Sequence, residues 1–396
     1  MGFAVHRPLR VLALTHCDIT ESCTFVRLVT PLRALQARGR IEYQIVSLFP
    51  RRIAVFQHIL RTLTSWDAIW IQRPYHYIML PILREARRLS KPVLVDLDDW
   101  LPGLHAGHSD AMLTTRPSRE TTRTVLRAAH AITVSTPVIA ERCAALGLRA
   151  HVLPNAINCD QFSRHSYSGG TITIAFCGSL SHRDDVPLIT PALRQLLHDK
   201  PGHVRVVSVG CPIDGLKGMQ GYTHHAFVPA TEYPQLLSNL QIDIGLAPLH
   251  DTPFNQAKSD IKYLEYSAVG AATIASPIAP YQASIRADRG TLVSENTSEA
   301  WAAAIQHAVT EVRLRQNLAT NAYEWVRRER SIEPTANKWF EIFHDYVDGS
   351  MMNSFPGPGA NLFDPGRFGC VMASIVLRQL PYDFQQLGYM AAQKTW

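Results

Sequence analysis

The stretch Lys258-Ser259-Asp260-Ile261-Lys262-Tyr263-Leu264-Glu265 lies between two apolar runs in the second half of the chain. The run before it is Asp243-Ile244-Gly245-Leu246-Ala247-Pro248-Leu249, and the run after it is Ala271-Ala272-Thr273-Ile274-Ala275. Short apolar runs on either side of a helical pattern are typical of a βαβ unit, which builds a parallel sheet. The stretch therefore predicts a helix that connects two buried strands.

Within this helix Lys258, Lys262 and Glu265 share one face, because their spacing is i, i+4, i+7. Two cations near a helix N-terminus, where the backbone already favours anions, are suited to bind a diphosphate. Glu265, one turn further on, is suited to accept hydrogen bonds from sugar hydroxyls such as a ribose diol. The alternative is a surface helix with an ion pair between Lys262 and Glu265, worth only about 0.2–0.5 kcal/mol. Taken alone, the stretch favours this alternative.

The same alternation of strands and helical patterns runs along most of the chain, and the fold class it predicts is α/β, with two tandem Rossmann-like domains that face a cleft. Predicted strands are Arg10–Thr15, Tyr43–Leu48, Ala68–Gln72, Pro92–Asp96, Ala131–Ser135, His151–Pro154, Thr171–Phe176, Val204–Val209, Ile242–Ala247, Ala271–Ala275 and Thr291–Val293. Helical spacing extends from Phe25 to Ala37 and around Leu188 to Leu197. Ligands of such domains bind at the carboxyl ends of the strands.

The polar segment Gln161–Gly170 lacks periodicity and suits a linker between the domains. We therefore predict an N-terminal domain over 1–165 and a second domain over 166–330. A helix over 331–348, with Ser331 at its start, is predicted to return to the first domain. The tail 349–396 either wraps onto that domain or is partly disordered.

Composition narrows the class of protein further. The chain has 396 residues, of which 46% are hydrophobic and 18% charged, and it contains no apolar run of 18 residues that would predict a transmembrane helix. The apolar run Val11–Leu14 is too short for a signal peptide. Seven scattered cysteines without a CxxC pair argue against a disulfide framework or a zinc site and fit a reducing cytoplasm. GxGxxG, Walker A and GxSxG motifs are missing, which argues against a dehydrogenase, an NTPase and an α/β hydrolase.

The net charge is +6, and arginines cluster between Arg84 and Arg88. A mildly basic enzyme is the simpler interpretation. The alternative is attraction to phosphate-bearing substrates or to an anionic membrane surface, which would make the protein peripheral to the inner face of the membrane. No motif indicates nucleic-acid binding.

Two further segments belong to the same sequence pattern as the stretch Lys258–Glu265 and the apolar runs around it. They are Val152-Leu153-Pro154-Asn155-Ala156-Ile157-Asn158 and Phe176-Cys177-Gly178-Ser179. From about Ala129 to Val347 the chain resembles glycosyltransferase family 4, the glycosyl transferases group 1 with the GT-B fold. The resemblance implies a cytoplasmic enzyme that takes a sugar from a UDP- or GDP-linked donor without a metal ion and with retention of configuration. The second domain would bind the donor, and the first a glycan, lipid-linked or natural-product acceptor.

The resemblance also assigns residues on the donor side. Gly178 would open the donor loop, and Arg183, five positions on, would meet the diphosphate. The arginine that usually follows the glycine is Ser179 here, so Lys258 and Lys262 would have to supply that charge.

The family carries two glutamates eight positions apart. The second matches Glu265, which would hold the ribose, whereas the first falls on Ala257, so Asn255 or Asp260 would have to take its place on the donor sugar. The backbone near Val228 would lie beside the base, and His182 would approach the phosphate or the sugar. The predicted donor-binding residues are Gly178, Ser179, His182, Arg183, Val228, Asn255, Lys258, Ser259, Lys262 and Glu265.

On the acceptor side, Asp98 and Asp99 end the run Asp96-Leu97-Asp98-Asp99 after a predicted strand. One of them would act as an acid or base, although capping of the following turn is an alternative. The DxD spelling also suggests a metal, which enzymes of this fold generally do without. The predicted catalytic residues are Asp98, Asp99, Arg183 and Lys262. The predicted acceptor-side residues are Ser22, Arg27, Arg73 and His108, whereas His105 is better interpreted as an ordinary polar histidine of a loop.

Two rival functions remain from the sequence alone. Ala257 and Ser179 depart from the family pattern, which fits a GT-B-shaped nucleotide- or glycan-binding scaffold protein that has lost catalysis. A sugar-nucleotide epimerase of the same shape is the other, and it would convert the donor without an acceptor.

Overall fold

The computed structural model describes residues 7–48, 53–103, 115–165 and 169–349. His105, His108 and the predicted tail beyond 349 lie outside these ranges. The described residues divide into two compact units, one formed by those up to Pro154 together with 335–349, and the other by those between Asn155 and Pro334. The division precedes the predicted linker, because Ile157 and Cys159 pack in the hydrophobic core of the second unit.

The first unit contains a six-stranded parallel sheet in the order β2-β1-β3-β4-β5-β6. Its strands are β1 (Leu9–Thr15), β2 (Ile41–Ser47), β3 (Ala68–Gln72), β4 (Val93–Leu97), β5 (Ala131–Val134) and β6 (His151–Val152). Its α-helices are α1 (Ser22–Thr24), α2 (Thr30–Ala37), α3 (Ile53–Thr62), α4 (Met79–Arg88), α5 (Arg116–Ala128) and α6 (Pro137–Ala145). Every residue of β3, β4 and β5 is buried, as expected of central strands that are covered on both faces.

The helix predicted over Phe25–Ala37 is longer and less regular than the periodicity indicates. A π-helical segment, Phe25–Val29, joins α1 to α2, so the helical stretch begins at Ser22. The predicted return helix is α13 (Ile332–Val347), and from Thr335 it belongs to the first unit. Its Trp339 and Phe343 rings lie 5.1 and 4.9 Å from the Trp70 ring of β3.

The second unit contains another six-stranded parallel sheet, in the order β12-β11-β10-β7-β8-β9. Its strands are β7 (Ile172–Gly178), β8 (Val204–Gly210), β9 (Tyr222–His225), β10 (Ile244–Ala247), β11 (Ala272–Ala275) and β12 (Thr291–Leu292). Its α-helices are α7 (Thr190–Asp199), α8 (Tyr233–Leu240), α9 (Ile261–Ala268), α10 (Ala279–Gln282), α11 (Ser298–Thr310) and α12 (Val312–Trp325). Counted from β7, this is the classic doubly wound order 3-2-1-4-5-6, whose ligand crevice lies where the order reverses, between β7 and β10.

A tyrosine of α9 explains the glycine in the run that precedes the helix. The Tyr266 hydroxyl accepts a hydrogen bond from Cys177 N at 2.9 Å and lies 3.2 Å from Leu246 O, so it links β7 to β10. A Cβ atom on Gly245 would lie 2.3 Å from Cγ of Tyr266. Only glycine therefore lets the ring approach the sheet at this point.

Both sheets are parallel and flanked by helices, so the predicted α/β architecture is confirmed. Within the described ranges, no helix has the length and apolar character needed to cross a membrane.

Candidate active site

Except for Val228, which follows β9, the predicted donor-binding residues lie on two loops and one helix at the carboxyl ends of β7 and β10. Residues 179–185 follow β7, which ends at Gly178, residues 248–260 follow β10, and α9 comes next along the chain. Because the strand order reverses between these two strands, the loops diverge and leave a crevice for a ligand. The sequence prediction and the topology of the second unit thus point to the same place.

Gly178 is needed for the close approach of His182. A Cβ atom on Gly178 would lie 2.9 Å from Cδ2 of the His182 ring. Gly210, at the end of β8, has a φ of +83°, and a Cβ atom there would lie 2.4 Å from Gly178 O. These glycines let the loop after β7 turn tightly over the end of the sheet.

Asp185, which was not among the predicted residues, holds the two loops together. Its Oδ1 accepts hydrogen bonds from His250 N at 2.8 Å and Asn255 Nδ2 at 3.1 Å, and its Oδ2 lies 3.2 Å from His182 Nδ1. Burial alone would raise the pKa of Asp185, but the hydrogen bond from His182 and the bond from His250 N keep it below its ordinary value. Asp185 is therefore an ionised anchor beneath the loops.

His182 is neutral at physiological pH. Burial is the main cause that lowers the pKa of His182 to about 4, and the positive charges of Lys258 and Lys262 lower it further against the opposing effect of Asp185. The charges of two predicted lysines therefore act on a predicted histidine that lies about 80 residues away in the chain.

Lys262 and Glu265 form a buried pair and not the weak surface pair that was the alternative interpretation. Lys262 Nζ donates to Glu265 Oε2 at 2.8 Å and lies 3.2 Å from the Tyr233 hydroxyl. The side chains of Lys262 and Glu265 are 17% and 4% exposed. The Tyr233 hydroxyl also donates to Glu265 Oε2, at 3.2 Å. Among the described residues no group hydrogen-bonds to the other carboxylate oxygen, Oε1, of Glu265.

Lys258 does not lie on the helix, so the predicted three-residue face is wrong in that respect. The helix begins at Ile261, and Lys258 has extended backbone angles at the end of the short turn Asn255–Ala257. The physical reason is Asp260, whose two carboxylate oxygens bind Arg330 at 2.8 and 2.7 Å. Lys258 instead lies over the Phe254 ring, at 4.7 Å from its centroid.

The two residues offered as substitutes for the missing glutamate are both engaged elsewhere. Asp260 is buried in its ion pair with Arg330 and also accepts from Ser284 Oγ. The Asn255 side chain donates to Asp185 and to His250 O. Ala257 itself is fully buried.

The remaining donor-side residues lie at the rim. Ser179 is exposed and bonds to Ser181 Oγ at 2.7 Å, and Ser259 Oγ accepts from Asn155 Nδ2 at 2.8 Å. The Arg183 side chain is 74% exposed and lies 3.4 Å from Asp214. Val228 is half-buried after β9, beside Phe227, and both belong to the segment that was predicted to lie beside the base.

Phe227 is 57% exposed, which is unusual for a phenylalanine. Its ring would lie 3.8 Å from a Cβ atom on Gly210, so it stands next to the end of β8. An exposed aromatic ring beside this glycine offers a flat face to a planar ligand group.

In the first unit, Arg73 binds both predicted catalytic aspartates. Its Nε and Nη2 donate to the Asp98 carboxylate at 2.7 and 2.8 Å, and Nη2 also donates to Asp99 at 2.7 Å. Arg73 follows β3 with a φ of +51°, a conformation rarely seen outside glycine and common at functional sites. Burial opposes ionisation of Asp98, but the Arg73 charge outweighs it, so the pKa of Asp98 is lowered.

Arg27, by contrast, cannot take the predicted acceptor-side role. The residue is fully buried, its Nε donates to Asp96 at 3.0 Å, and its Nη1 donates to Leu153 O at 2.6 Å. Its guanidinium also lies over the Trp339 ring at 4.6 Å. Ser22 is exposed at the start of α1, whereas the predicted His108 is outside the described residues.

The described residues contain one group that offers three metal-ligand atoms, formed by Cys17, Glu21 and Cys23 after β1. These atoms lie within 4.8 Å of one another, and Arg73 Nη1 lies 4.0 Å from Cys17 Sγ. The spacing of the two cysteines does not match a known zinc motif, so this proximity could not be predicted from the sequence pattern. Asp98 and Asp99 both bind the Arg73 guanidinium, and its positive charge offsets part of the negative charge that would attract a metal cation.

Residues 171–311 match the family model described as "Glycosyl transferases group 1". None of the curated protein sequences matches the chain at a significant level. The fold is similar to sucrose-phosphate synthase from Thermosynechococcus elongatus, with a TM-score of 0.64 and 15% identity over 86% of this chain and 99% of that one.

It is also similar to Anabaena HepE in complex with UDP and glucose, with a TM-score of 0.62 and 13% identity over 85% of this chain and 100% of that one. A third similar structure is the trehalose 6-phosphate synthase of Burkholderia multivorans, with a TM-score of 0.59 and 13% identity over 87% of this chain and all of the other.

The fold, the crevice and these similarities define the class of protein: the chain is a glycosyltransferase with the GT-B fold. Within the second unit, residues 171–311 carry the match to the glycosyl transferases group 1. The predicted family resemblance is thereby confirmed, and so is its assignment to the transferases.

Proposed function

We propose that the crevice between the ends of β7 and β10 binds a nucleoside diphosphate sugar and that UDP is the nucleotide. The observation that carries the proposal is the Lys262 ammonium, which Glu265 Oε2 and the Tyr233 hydroxyl hold in place at the start of α9. A diphosphate is the anion that two lysines and a glycine-opened loop suit best. HepE, which is similar in fold, is described in complex with UDP and UDP-glucose, and this supports uridine over guanosine.

Lys262 retains hydrogen-bonding capacity for this role. An ammonium group has three donors, and two of them are directed at Glu265 and Tyr233. One donor is left for a phosphate oxygen, while the neighbouring carboxylate and phenol hold the ammonium in place. The Arg183 guanidinium, which is exposed at the rim of the crevice, adds a planar set of hydrogen-bond donors.

Glu265 is suited to the ribose for a similar reason. Both protein hydrogen bonds go to Oε2, which leaves Oε1 to accept from a ribose hydroxyl. A hydrogen bond to a charged group contributes about 1.5–3 kcal/mol to binding. The uracil ring would then lie by the backbone of Val228 and the exposed face of Phe227.

During transfer, negative charge develops on the leaving diphosphate, and fixed cations stabilise it without reorganisation. Lys258, Lys262 and Arg183 supply that charge in our proposal, so the reaction does not need a metal ion. Retention of configuration follows from the resemblance to the family. The acceptor, a glycan, a lipid-linked sugar or a natural product, would be bound by the first unit near Arg73, Asp98 and Asp99.

The test measures binding of UDP, GDP and UMP by calorimetry with the full chain, followed by hydrolysis of a panel of UDP-sugars. Lys262→Ala and Glu265→Ala are each expected to weaken UDP binding by about tenfold or more, as loss of a charge-assisted hydrogen bond predicts. Lys217→Ala is the matched control, because Lys217 is an exposed lysine of the same unit outside the site. Unchanged UDP affinity and turnover in both site variants would refute the site, and tighter binding of GDP would refute the choice of base.

A further inference from the structure

The excess of positive over negative charge is confined to the first part of the chain. Residues 155–334 contain 15 Lys and Arg against 17 Asp and Glu, whereas residues 1–154 contain 20 against 11. The net charge of +6 therefore originates entirely in the first 154 residues, away from the unit with the proposed diphosphate site. Such an asymmetry indicates an anionic partner for the first unit beyond the donor itself.

Two neighbouring helices hold most of this charge. Helices α4 and α5 together contain seven arginines and two glutamates, and they lie side by side, because Arg87 Nη1 donates to Ala128 O at 2.6 Å. The arginines are Arg84, Arg87, Arg88, Arg116, Arg119, Arg123 and Arg127.

On α5 the arginines form a stripe. Arg116, Arg119, Arg123 and Arg127 are spaced i, i+3, i+7, i+11, so they share one face, and all four are exposed. The opposite face, with Thr121 and Val125, is fully buried. At 1.5 Å per residue the stripe is about 16 Å long.

Most of the stripe is unpaired within the described part of the chain. Arg116 binds Glu120 at 2.9 Å. Among the described residues, no carboxylate forms an ion pair with Arg119, Arg123 or Arg127. Three exposed cations in a row repel one another unless an anionic partner lies against them.

The position of the stripe separates it from substrate binding. Helix α5 leads from the carboxyl end of β4 back to the amino end of β5, so Arg127 lies toward the edge of the sheet opposite to the one where ligands bind. We propose that the Arg116–Arg127 stripe of α5, with the arginines of α4 beside it, docks this protein on a bilayer that contains anionic phospholipids. A straight row of arginines on the outer flank of the sheet fits a flat, extended array of phosphate groups better than a single small anion.

This contact is independent of the donor site, and its test treats the two separately. The full chain is sedimented with vesicles of phosphatidylcholine that contain 30% phosphatidylglycerol, and with vesicles of phosphatidylcholine alone. Each arginine near an anionic surface contributes roughly a fivefold gain in partitioning, so the triple variant R119Q/R123Q/R127Q is expected to bind about a hundredfold less. Binding of the unaltered protein is expected to disappear in 0.5 M NaCl, because salt screens the attraction.

The control variant, R194Q/K217Q/R313Q, removes the same charge from exposed positions of the second unit and should bind the vesicles as the unaltered protein does. Circular dichroism and UDP calorimetry on all three proteins show whether fold and donor site are intact, so failure of the docking proposal does not depend on the proposed function. The docking proposal would be overturned if both triple variants lost the same amount of vesicle binding. It would also be overturned if the unaltered protein bound neutral vesicles equally well or bound no vesicles at all. Stripe-dependent binding to a 20-base-pair DNA duplex without vesicle binding would assign the surface to nucleic acid instead.

Discussion

Replacement of His182 by asparagine should remove a defined part of the acid sensitivity of this protein. His182 belongs to the loop after β7, and its ring is largely buried. Its pKa is lowered from 6.5 to about 4 because of burial and the charges of Lys258 and Lys262. Between these values the unfolded chain binds a proton at this residue and the folded chain does not. Stability is therefore complete above pH 6.5 and falls as the pH is lowered toward 4.

The magnitude follows from the gap between the two values. A tenfold difference in proton affinity is about 1.4 kcal/mol, so the gap corresponds to about 3 kcal/mol in the free energy of unfolding. Such a loss is a large part of the 5–15 kcal/mol that typically stabilises a folded protein. Asparagine keeps a donor for Asp185 and does not titrate, so the variant lacks this loss.

The assay is urea unfolding of the unaltered protein and of His182→Asn at pH 7.5, 6.0, 5.0 and 4.5. The difference in free energy between the two should shift in favour of the variant by up to about 3 kcal/mol as the pH falls. Titrating groups that do not contact His182, such as the half-buried His130, whose pKa is also about 4, occur in both proteins and cancel in the difference. A constant difference across this range, or an NMR titration of His182 near pH 6.5, would refute the reasoning.

Three further predictions concern the architecture and the chemistry of the site. Gly245→Ala should destabilise the second unit by about 1–3 kcal/mol or more in urea unfolding, because the new Cβ would overlap the Tyr266 ring; an unchanged midpoint would contradict the packing. Asp260→Asn should cost about 3–5 kcal/mol, since it breaks the buried pair with Arg330, whereas the control Asp160→Asn, in an exposed pair, should cost less than about 1 kcal/mol. Sugar transfer should persist after treatment with EDTA and should not rise on addition of Mn²⁺ or Mg²⁺; a loss that Mn²⁺ restores would show that the fixed cations are insufficient.

The sheets could be predicted from sequence because most of their strands are buried on both faces, and such strands are short apolar runs. Among the described strands, β9 (Tyr222–His225) was missed. It is an edge strand whose side chains are largely exposed, so it lacks an apolar signal. The glycines at 178 and 245 could be located, but the reasons for them, the His182 and Tyr266 rings, depend on contacts across the fold.

The site was harder to predict, because spacing along the chain does not show which way a side chain points. Asp184 and Asp185 are adjacent and chemically identical, yet Asp184 is exposed and Asp185 is the buried anchor of two loops. Arg27 has the right residue type near the end of β1, but it faces inward to Asp96. Asp260 was considered for the sugar, and only the structure shows that an arginine 70 positions later occupies it.

The arginine pairs also change what the acceptor side can do. A general base is most effective when its pKa lies near the operating pH, and Arg73 moves the pKa of Asp98 in the opposite direction. Burial raises the pKa of Glu21, against the effect of the nearby Arg73 charge, so Glu21 is the better proton acceptor among these groups. We therefore expect Glu21→Gln to remove the acidic limb of the pH–rate profile for sugar transfer, and Asp98→Asn to lower the rate at every pH by misplacing Arg73. An acidic limb that survives in Glu21→Gln and vanishes in Asp98→Asn would return the role of the base to Asp98.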